Sequence, residues 1–388
     1  MLSINFSLMF RQIFTSLFRS KDTNYRLTAK RLKVLLICIP GYVLIMTVHW
    51  FCFLLDSVFF PRFRRRSVVK PVFIIGNFRT GSTLLFRIMA RDEENFCTFK
   101  TWEIYFAPSI AERKFIRGML LLDSIVGKPL RRLLEMTERK NLDHMLKHAS
   151  KLHTIGLREA EEEEAMLLWI YNTFWLHYVF PIPSDFAPFD DFDRVMPAYR
   201  RRRIMRFYRR CVQRHLYARD GNKRLLSKNP GFTPKVMSLL EEFPDAQFLY
   251  LVRDPVETCT STVSWFSFWF NLFNSPLEHY PLKDETIEMM KIWYTYPVEA
   301  LKHLPENRFL IINYEDFVRN PEQTIRDVYK KFGLRITDRF ERILVHETHR
   351  AKSFKSSRET TAESIGLSKN IIHHRFDEIY EYFRFEKR

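Results

Sequence analysis

Four short apolar segments, each ending in polar residues, constrain the fold of this chain more than any other feature. They are "PVFIIG" at 71–76, "RLLSKNP" at 224–230, "AQFLYLVRDP" at 246–255 and "NRFLIINYED" at 307–316. Helical patterns separate them, and the one at 321–333 has proline at its start and glycine past its end. Strands alternating with helices predict an α/β fold, a parallel sheet with helices on both faces.

The polar ends of these segments predict where a ligand binds. In an open parallel sheet, ligands bind outside the carboxyl ends of the strands. The sequence places there a glycine loop at 76–83, Lys228 with Asn229, Arg253, and Tyr314. Because four separate segments deliver such residues to one edge, we expect a single site there.

The loop after the first segment resembles a phosphate loop that lacks its lysine. Four residues separate the two glycines, Gly76 and Gly81, and Ser and Thr follow the second glycine directly. Backbone N–H groups at such a turn cradle anionic oxygens, and an arginine inside the loop adds a charged fork. The candidate anion-binding residues are Arg79, Thr80, Gly81, Ser82 and Thr83. The alternative is a purely structural glycine turn.

A second anion-binding segment is "LVRDPVETCTSTVSWF" at 251–266. Arg253 ends a predicted strand, and Ser261 lies eight positions later, about two turns into the next helix. An arginine and a hydroxyl placed in this way could clamp one further phosphate. The alternative is a strand-end arginine in an ion pair.

Composition narrows the classes of partner. The formal net charge of +17 predicts an anionic partner. Nucleic acid is disfavoured, because the chain has no zinc-finger spacing, RNP-like signature or Lys-rich tail. The five cysteines form no CxxC pair, which argues against a disulfide framework or zinc site and favours a reducing compartment.

The N-terminal part predicts membrane association. Residues 34–55 carry no charge and are long enough to cross a bilayer, which needs about 20 residues. Basic residues flank the run on both sides, so orientation stays open. Pro40-Gly41 could break it into a re-entrant or interfacial pair, and a buried core hairpin is the alternative.

The first thirty residues predict an amphipathic segment. Residues 1–20 place apolar side chains at helical spacing, which is typical of a helix in a membrane interface, although an ordinary packing helix has the same pattern. We therefore divide the chain into an amphipathic segment at 1–30, a membrane-associated segment at 31–70 and one catalytic domain at 71–388.

Together these motifs resemble the sulfotransferases. The loop at 76–85 is similar to the 5′-phosphosulfate loop of that family, and the segment at 251–266 to its 3′-phosphate segment. "NYEDFVRNPEQTIRDVYKKFGL" resembles its later Tyr-Glu-Asp segment, whose tyrosine, here Tyr314, meets the adenine. The tail "IGLSKNIIHHRFDEIYEYF" is similar to endings in the broad bacterial-type branch. The resemblance covers roughly 71–388.

The resemblance implies in-line sulfuryl transfer from 3′-phosphoadenosine 5′-phosphosulfate to a hydroxyl acceptor, without a metal. Arg79 and Lys228 would then stabilise charge on the leaving oxygens. One branch carries its histidine base just after this lysine, where this chain has Asn229. We therefore expect Glu103 as the base, with His153 as its rival and a capping or ion-paired role as the alternative for Glu103.

The resemblance leaves the acceptor open, with a lipid or a glycan as the candidates. Two aromatic stretches, 171–180 and 265–273, could line an apolar acceptor cavity or belong to the core. The acidic run at 159–164 is expected to be mostly a solvated face. The arginines at 200–210 could face anionic lipid headgroups or solvent. We expect a cytoplasmic catalytic domain, with a Golgi-type lumenal placement as the alternative.

Two other functional classes remain as alternatives. One is a nucleotide-dependent kinase or triphosphatase with a degenerate phosphate loop, which a lysine directly after Gly81 would favour. That position holds serine. The other is a non-catalytic membrane scaffold, which the loss of Arg79, Lys228 or Arg253 would favour. All three are present.

Overall fold

The computed structural model describes residues 3–129, 132, 156–219, 223–352 and 361–387. Within these ranges, one five-stranded sheet has the order β2-β3-β1-β4-β5, and every neighbouring pair is parallel. The strands are β1 Val72–Gly76, β2 Phe96–Cys97, β3 Arg224–Lys228, β4 Gln247–Val252 and β5 Phe309–Asn313. The predicted α/β fold and its four predicted strands are confirmed. The two-residue strand β2 is too short to leave a sequence pattern.

Helices surround the sheet. Before β3 they are α1 Phe6–Phe18, α2 Ala29–Phe59, α3 Ser82–Met89, α4 Thr101–Tyr105, α5 Ile110–Ile125, α6 Leu176–Val179, α7 Ala187–Asp190, α8 Phe192–Val195 and α9 Ala198–Tyr217. After β3 they are α10 Val236–Glu242, α11 Pro255–Phe273, α12 Lys283–Leu301, α13 Tyr314–Arg319, α14 Pro321–Phe332, α15 Asp338–Lys352, α16 Lys369–Arg375 and α17 Asp377–Phe383. The 3₁₀ segments are Pro61–Arg65, Glu163–Ile170, Pro183–Asp185, Pro230–Lys235, Glu306–Arg308 and Glu363–Ile365.

Each face of the sheet packs into its own apolar core. Val72 and Ile74 of β1 face a core that includes apolar residues of α3, α14 and α15. Phe73 and Ile75 face the larger core, which includes residues of α9 to α12 and also of α1 and α2. Alternate side chains of a strand point to opposite faces, so a strand covered on both sides is apolar throughout.

The strand register brings the predicted ligand-binding ends together. Gly76 at the end of β1 lies opposite Leu251 of β4. Lys228 at the end of β3 lies opposite Ile74. Asn313 at the end of β5 lies opposite Val252. The parallel strands therefore end at one edge, where the loops that follow them meet.

The apolar segment at 34–55 forms part of one helix, α2, and Pro40-Gly41 does not break it. Among the described residues it is the one helix long and apolar enough to cross a bilayer, and 17% of its most apolar 18-residue window is buried. A proline inside a helix removes one backbone hydrogen bond. Contacts on both sides of Pro40 hold α2 on the domain, as Leu35 and Met46 are buried in the larger core.

The three segments predicted from the sequence share that core. Leu8 and Met9 of α1 and Phe53 of α2 are buried there together with residues of the sheet. The four phenylalanines of α1 instead point outward and are exposed by 42–71%. The packing face of α1 is thus narrower than the apolar pattern predicts.

Candidate active site

The loop between β1 and α3 depends on glycine at its first position. Gly76 has φ +138°, and a Cβ there would lie 2.3 Å from the backbone oxygen of Leu251. The Thr233 hydroxyl donates to the Gly76 carbonyl at 2.8 Å and accepts from the Gly76 N–H at 2.9 Å. Two strands and the segment after β3 therefore fix where the loop starts.

The two predicted phosphate-binding segments contact each other. Arg79, at φ +66°, donates from Nε to the Ser261 hydroxyl at 3.0 Å. The Arg253 guanidinium donates to the Arg79 carbonyl at 3.3 Å and stacks over the Tyr314 ring at 4.0 Å. Arg253 also pairs with Glu257 one turn into α11. The fold thus gathers one predicted side chain from each of three strand ends and one from α11.

The remaining loop residues have different environments. The Thr80 hydroxyl is buried and donates to the carbonyl of Asn77 at 2.9 Å, so it braces the loop from inside. Ser82 is buried at the start of α3, and Thr83 is half-buried beside it. Of these hydroxyls, Ser82 and Thr83 lie at the helix N-terminus, where backbone N–H groups favour an anion.

Gly81 is the point where the loop meets Tyr314. It has φ +81°, and a Cβ there would lie 2.5 Å from the tyrosine ring. We expect Gly81→Ala to displace Tyr314 and Arg253 with it, and to weaken binding of adenosine 3′,5′-bisphosphate at least about 10-fold, equivalent to about 1.4 kcal/mol. Isothermal titration calorimetry measures this directly.

Gly333→Ala is the matched control for that substitution. Gly333 also has a left-handed φ, +60°, but nothing lies within 4 Å of its would-be Cβ. Both variants carry the backbone penalty of a left-handed alanine, about 1–2 kcal/mol. Equal affinities in the two variants would show that the contact between Gly81 and Tyr314 does not shape the nucleotide site.

Lys228 is paired with a carboxylate at the end of β3. Lys228 is buried, with 3% of its surface exposed. Its ammonium group forms an ion pair with Glu162, which is 8% exposed. Glu161 lies beside this pair, and burial and the charge of Glu162 raise its pKa, whereas Lys228 lowers it. Two adjacent carboxylates therefore stand at the predicted charge-stabilising lysine.

The expectation of a solvated acidic face at 159–164 is wrong for the last three glutamates. Glu162, Glu163 and Glu164 are all buried. The segment has no helical period, because it enters the 3₁₀ stretch Glu163–Ile170 and turns into the protein. Buried carboxyl groups require hydrogen-bond donors or opposite charges, because burial removes them from water.

The partners of the two innermost glutamates are specific. Glu163 accepts from the Tyr208 hydroxyl at 2.7 Å. Glu164 pairs with the Lys235 ammonium at 2.9 Å and accepts from the hydroxyl of Thr173. Burial raises the pKa of both carboxyl groups. These contacts anchor the segment and leave Glu162 directed at Lys228.

Glu103 has a different setting from the one predicted for a base. It is 1% exposed and accepts from the Lys100 backbone N–H at 2.9 Å. Arg219 donates to both of its oxygens at 3.0 Å, and Arg113 lies 3.7 Å away. These contacts match the capping and ion-paired alternative. The rival base, His153, lies outside the described residues.

Sequence reasoning placed Asn229 at this edge without its contacts, and it missed the pairing of Glu162 with Lys228 and the role of Thr233. Asn229 accepts from the Glu164 N–H at 3.1 Å and donates to Ser227 at 2.9 Å, so it ties the acidic segment to β3. Thr233 holds the start of the glycine loop. The available signal was the apolar run "AMLLWI" directly after the glutamates, which is atypical of a solvated face.

Comparison with known proteins identifies the family. The sequence profile described as "Sulfotransferase family" matches residues 71–338. The chain belongs to the sulfotransferase family. This assignment agrees with the resemblance of its loop and strand-end motifs.

The chain is also similar to known proteins in sequence and in fold. The omega-hydroxy-beta-dihydromenaquinone-9 sulfotransferases Stf3 of Mycobacterium bovis and Mycobacterium tuberculosis are each 25% identical over 272 residues, 68% of this sulfotransferase-family chain. The match spans 63% of the length of those relatives. In fold, the chain is similar to the sulfotransferase STF1 of Mycobacterium tuberculosis, with a TM-score of 0.69, 19% identity and coverage of 95% of this chain and 92% of that one. STF9 of Mycobacterium avium gives a TM-score of 0.68, 17% identity and coverage of 85% and 81%.

Proposed function

We propose that this protein transfers a sulfuryl group from 3′-phosphoadenosine 5′-phosphosulfate to the hydroxyl of a membrane lipid. The contact of Arg79 with Ser261 carries the proposal, because it joins a 5′-phosphosulfate loop to a second phosphate-binding segment. A triphosphate chain needs one continuous cradle with a lysine. Two separate anionic groups need two basic sites that a nucleoside can bridge.

The residues present fit such a donor. The turn from Gly76 to Thr83 offers backbone N–H groups at the start of α3 for the phosphosulfate. Arg253 and Ser261 suit the 3′-phosphate, since a guanidinium binds phosphate oxygens with two parallel N–H groups. The Tyr314 ring, already stacked on Arg253, offers an apolar face for the adenine.

We assign the general base to Glu162 in preference to Glu103. The carboxylate of Glu162 takes the proton of the acceptor hydroxyl, whose oxygen then forms a bond to sulfur. The bond from sulfur to the bridging phosphate oxygen breaks, and adenosine 3′,5′-bisphosphate leaves with the electron pair. Lys228 stabilises charge on that leaving oxygen, and Arg79 stabilises charge on the sulfuryl oxygens.

The ion pair between Lys228 and Glu162 supports this assignment. The mechanism needs the lysine at the leaving oxygen and the base at the incoming one, and the ion pair places these two side chains next to each other. A donor phosphosulfate offers Lys228 a new anionic partner. That exchange would release the Glu162 carboxylate to accept a proton.

A lipid acceptor suits the N-terminal helices and the relatives. The name of the Stf3 relatives specifies a hydroxylated menaquinone derivative as their acceptor. We propose a hydroxyl on a lipid for this chain too, with the catalytic domain on the cytoplasmic side. A reducing compartment such as the cytoplasm keeps thiols reduced, which is compatible with the free cysteines at 38, 52, 97, 211 and 259.

We expect the protein to bind adenosine 3′,5′-bisphosphate far more tightly than ATP, because the site holds two separate anion-binding segments. Calorimetry with both ligands measures the difference. Arg253→Met should weaken bisphosphate binding about 10–100-fold, the value of one charged hydrogen-bonded contact. The control is Arg319→Met, since the Arg319 side chain is 78% exposed. Equal or tighter binding of ATP would favour a kinase or triphosphatase.

Transfer itself is tested with a donor that carries radiolabelled sulfate. Purified protein in detergent is incubated with hydroxylated lipids, including a hydroxylated menaquinone, and with soluble glycans. Label in a lipid product supports the proposal. Label in glycans alone would move the acceptor to that class, and a lack of transfer together with tight bisphosphate binding would favour the scaffold alternative.

A further inference from the structure

We propose that α1, α2 and α5 form one membrane-docking face that lies flat on a single anionic leaflet, so that α2 does not cross the bilayer. The inference concerns attachment and rests on neither the acceptor nor the sulfuryl transfer. It follows from the polar contacts between α2 and the rest of the domain, and from the apolar side chains exposed on the other side of α2.

Polar contacts tie α2 to the domain from one end to the other. Just before its first turn, the Thr28 hydroxyl lies 2.7 Å from that of Ser275. In the middle, Trp50 donates to the Trp169 carbonyl at 2.8 Å. Near its end, Asp56 accepts from Arg214 at 2.9 Å.

These contacts exclude a simple span of the bilayer by α2. Residues 28 and 56 are about 42 Å apart along a helix, and the hydrocarbon layer is about 30 Å thick. If α2 crossed that layer, the domain residues that hold it would cross with it. They include the buried Arg214 and the chain around Trp169, which belongs to the larger apolar core. A helix docked in this way can only lie along the surface.

The opposite side of α2 is a continuous apolar surface. Its exposed large apolar side chains are 37–73% accessible and recur along the whole helix. They are Leu32, Leu36, Ile37, Val43, Leu44, Ile45, Val48, Phe51, Leu54, Val58 and Phe59. Soluble proteins rarely expose an apolar patch of this length, so a partner covers it.

Helices α1 and α5 contact α2 and carry further exposed apolar side chains. Arg31 of α2 donates to Ser16 of α1 at 3.1 Å, and His49 of α2 contacts Glu112 of α5 at 2.6 Å. The exposed apolar side chains of α1 and α5 are Phe6, Phe10, Phe14, Phe18, Phe115, Met119, Leu120, Leu121, Leu122 and Ile125. Most of the large apolar side chains that the described residues leave exposed therefore lie on these three helices.

The exposed charged side chains of the three helices favour an anionic bilayer over a neutral one. All residues of the three helices are described, and their exposed charged side chains are basic: Arg11, Lys30, Lys33, Lys114 and Arg117. Their acidic side chains, Asp56, Glu112 and Asp123, are buried. Each basic residue near an anionic surface adds about 1 kcal/mol of attraction, equivalent to about fivefold in partition.

A second basic cluster stands just beyond the end of α2. Arg62, Arg64 and Arg65 follow the helix and are exposed. They lie near α9, where burial and the neighbouring charges of Arg64 and Arg209 lower the pKa of Arg210. Such crowding of like charges is relieved by phosphate headgroups. It also disfavours the competing occupant, a second copy of this chain, whose identical face would bring the same charges together.

Flotation with lipid vesicles tests the face. Full-length protein should float with phosphatidylcholine vesicles that contain phosphatidylserine, and less with phosphatidylcholine alone. Leu44→Glu/Phe51→Glu should lower the partition at least about 100-fold, because two large apolar side chains leave the bilayer. The matched control is Val345→Glu/Ile371→Glu, at exposed apolar positions of α15 and α16. Equal loss in both double variants, or a stable dimer that does not float, would overturn the proposal.

Labelling of cysteines determines whether α2 crosses the membrane. Lys33→Cys and Arg62→Cys mark its two ends, in a background where Cys38 and Cys52 are serine. Sealed right-side-out and inside-out membrane vesicles are treated with a maleimide that does not cross the bilayer. The docked face predicts that both ends react in the same vesicle preparation. Reaction of the two ends in opposite preparations would establish a span and refute the flat orientation.

Discussion

Glu162→Gln is expected to lower kcat about 10²–10⁴-fold, while donor affinity is retained or rises because Lys228 no longer has to leave a carboxylate. Glutamine keeps the shape of the glutamate side chain but cannot act as a base. Its amide oxygen can still accept from Lys228, in a weaker hydrogen bond than the ion pair. The donor is held by the loop, by Arg253 and by Ser261, none of which needs this carboxylate. Single-turnover rates with saturating donor, together with calorimetry of adenosine 3′,5′-bisphosphate, separate chemistry from binding.

Three companion variants test whether a residue other than Glu162 is the general base. Glu103→Gln should mainly lower stability, since it disturbs the contacts with Arg219 and Arg113. A greater loss of kcat in Glu103→Gln than in Glu162→Gln would restore Glu103 as the base. The same outcome in Glu161→Gln or His153→Ala would transfer the role to that residue.

Asp56→Ala should lower the free energy of unfolding by about 3–5 kcal/mol. The Asp56 carboxylate accepts from the N–H groups of Ile110 and Ala111 at 2.9 and 2.8 Å, at the start of α5. It also pairs with the buried Arg214. Removal of the carboxylate leaves a guanidinium charge without its partner inside the protein, and two helix N–H groups lose their acceptor. Urea unfolding in mild detergent, followed by intrinsic fluorescence, measures the change.

Asp316→Ala provides the control at an exposed ion pair. Asp316 pairs with Arg319 at 3.4 Å, and both side chains are more than 70% exposed. Exposed pairs contribute about 0–1 kcal/mol, so this variant should unfold at nearly the wild-type urea concentration. If Asp56→Ala were equally mild, the junction of α2, α5 and α9 would not be a structural centre of the protein.

The parallel sheet was predictable because its signals are local. Each main strand is an apolar run with a polar end, and Pro321 and Gly333 mark where α14 begins and ends. The gathering of Arg79, Arg253 and Tyr314 was also predictable, since the carboxyl ends of parallel strands share one edge. Their mutual contacts were not, because an arginine that stacks on a tyrosine leaves no periodic trace.

The acidic run shows why the rest of the site escaped sequence reasoning. Four consecutive glutamates are typical of a solvated segment, yet Lys228 and Lys235 lie in the interior and need opposite charges. Those lysines are more than sixty residues away in the chain. Only the tertiary structure tells which carboxylates face them. The ion-paired setting of Glu103 could not be read from the sequence for the same reason, since its arginine partners come from α5 and from just beyond the end of α9.

The 3₁₀ stretch Glu163–Ile170 connects Glu162 to helix α2. Its far end, at Trp169, holds α2, and its near end adjoins Glu162, about 14 Å away at about 2.0 Å per residue. If α2 lies flat on the leaflet as proposed and Glu162 acts as the base, that carboxylate would stand at a fixed elevation above the leaflet. A lipid whose hydroxyl rises to that elevation is presented at the high local concentration of a two-dimensional pool. A water-soluble alcohol reaches the same carboxylate only by diffusion from bulk. Discrimination between the two would then appear in KM, while kcat for a correctly placed hydroxyl stays similar.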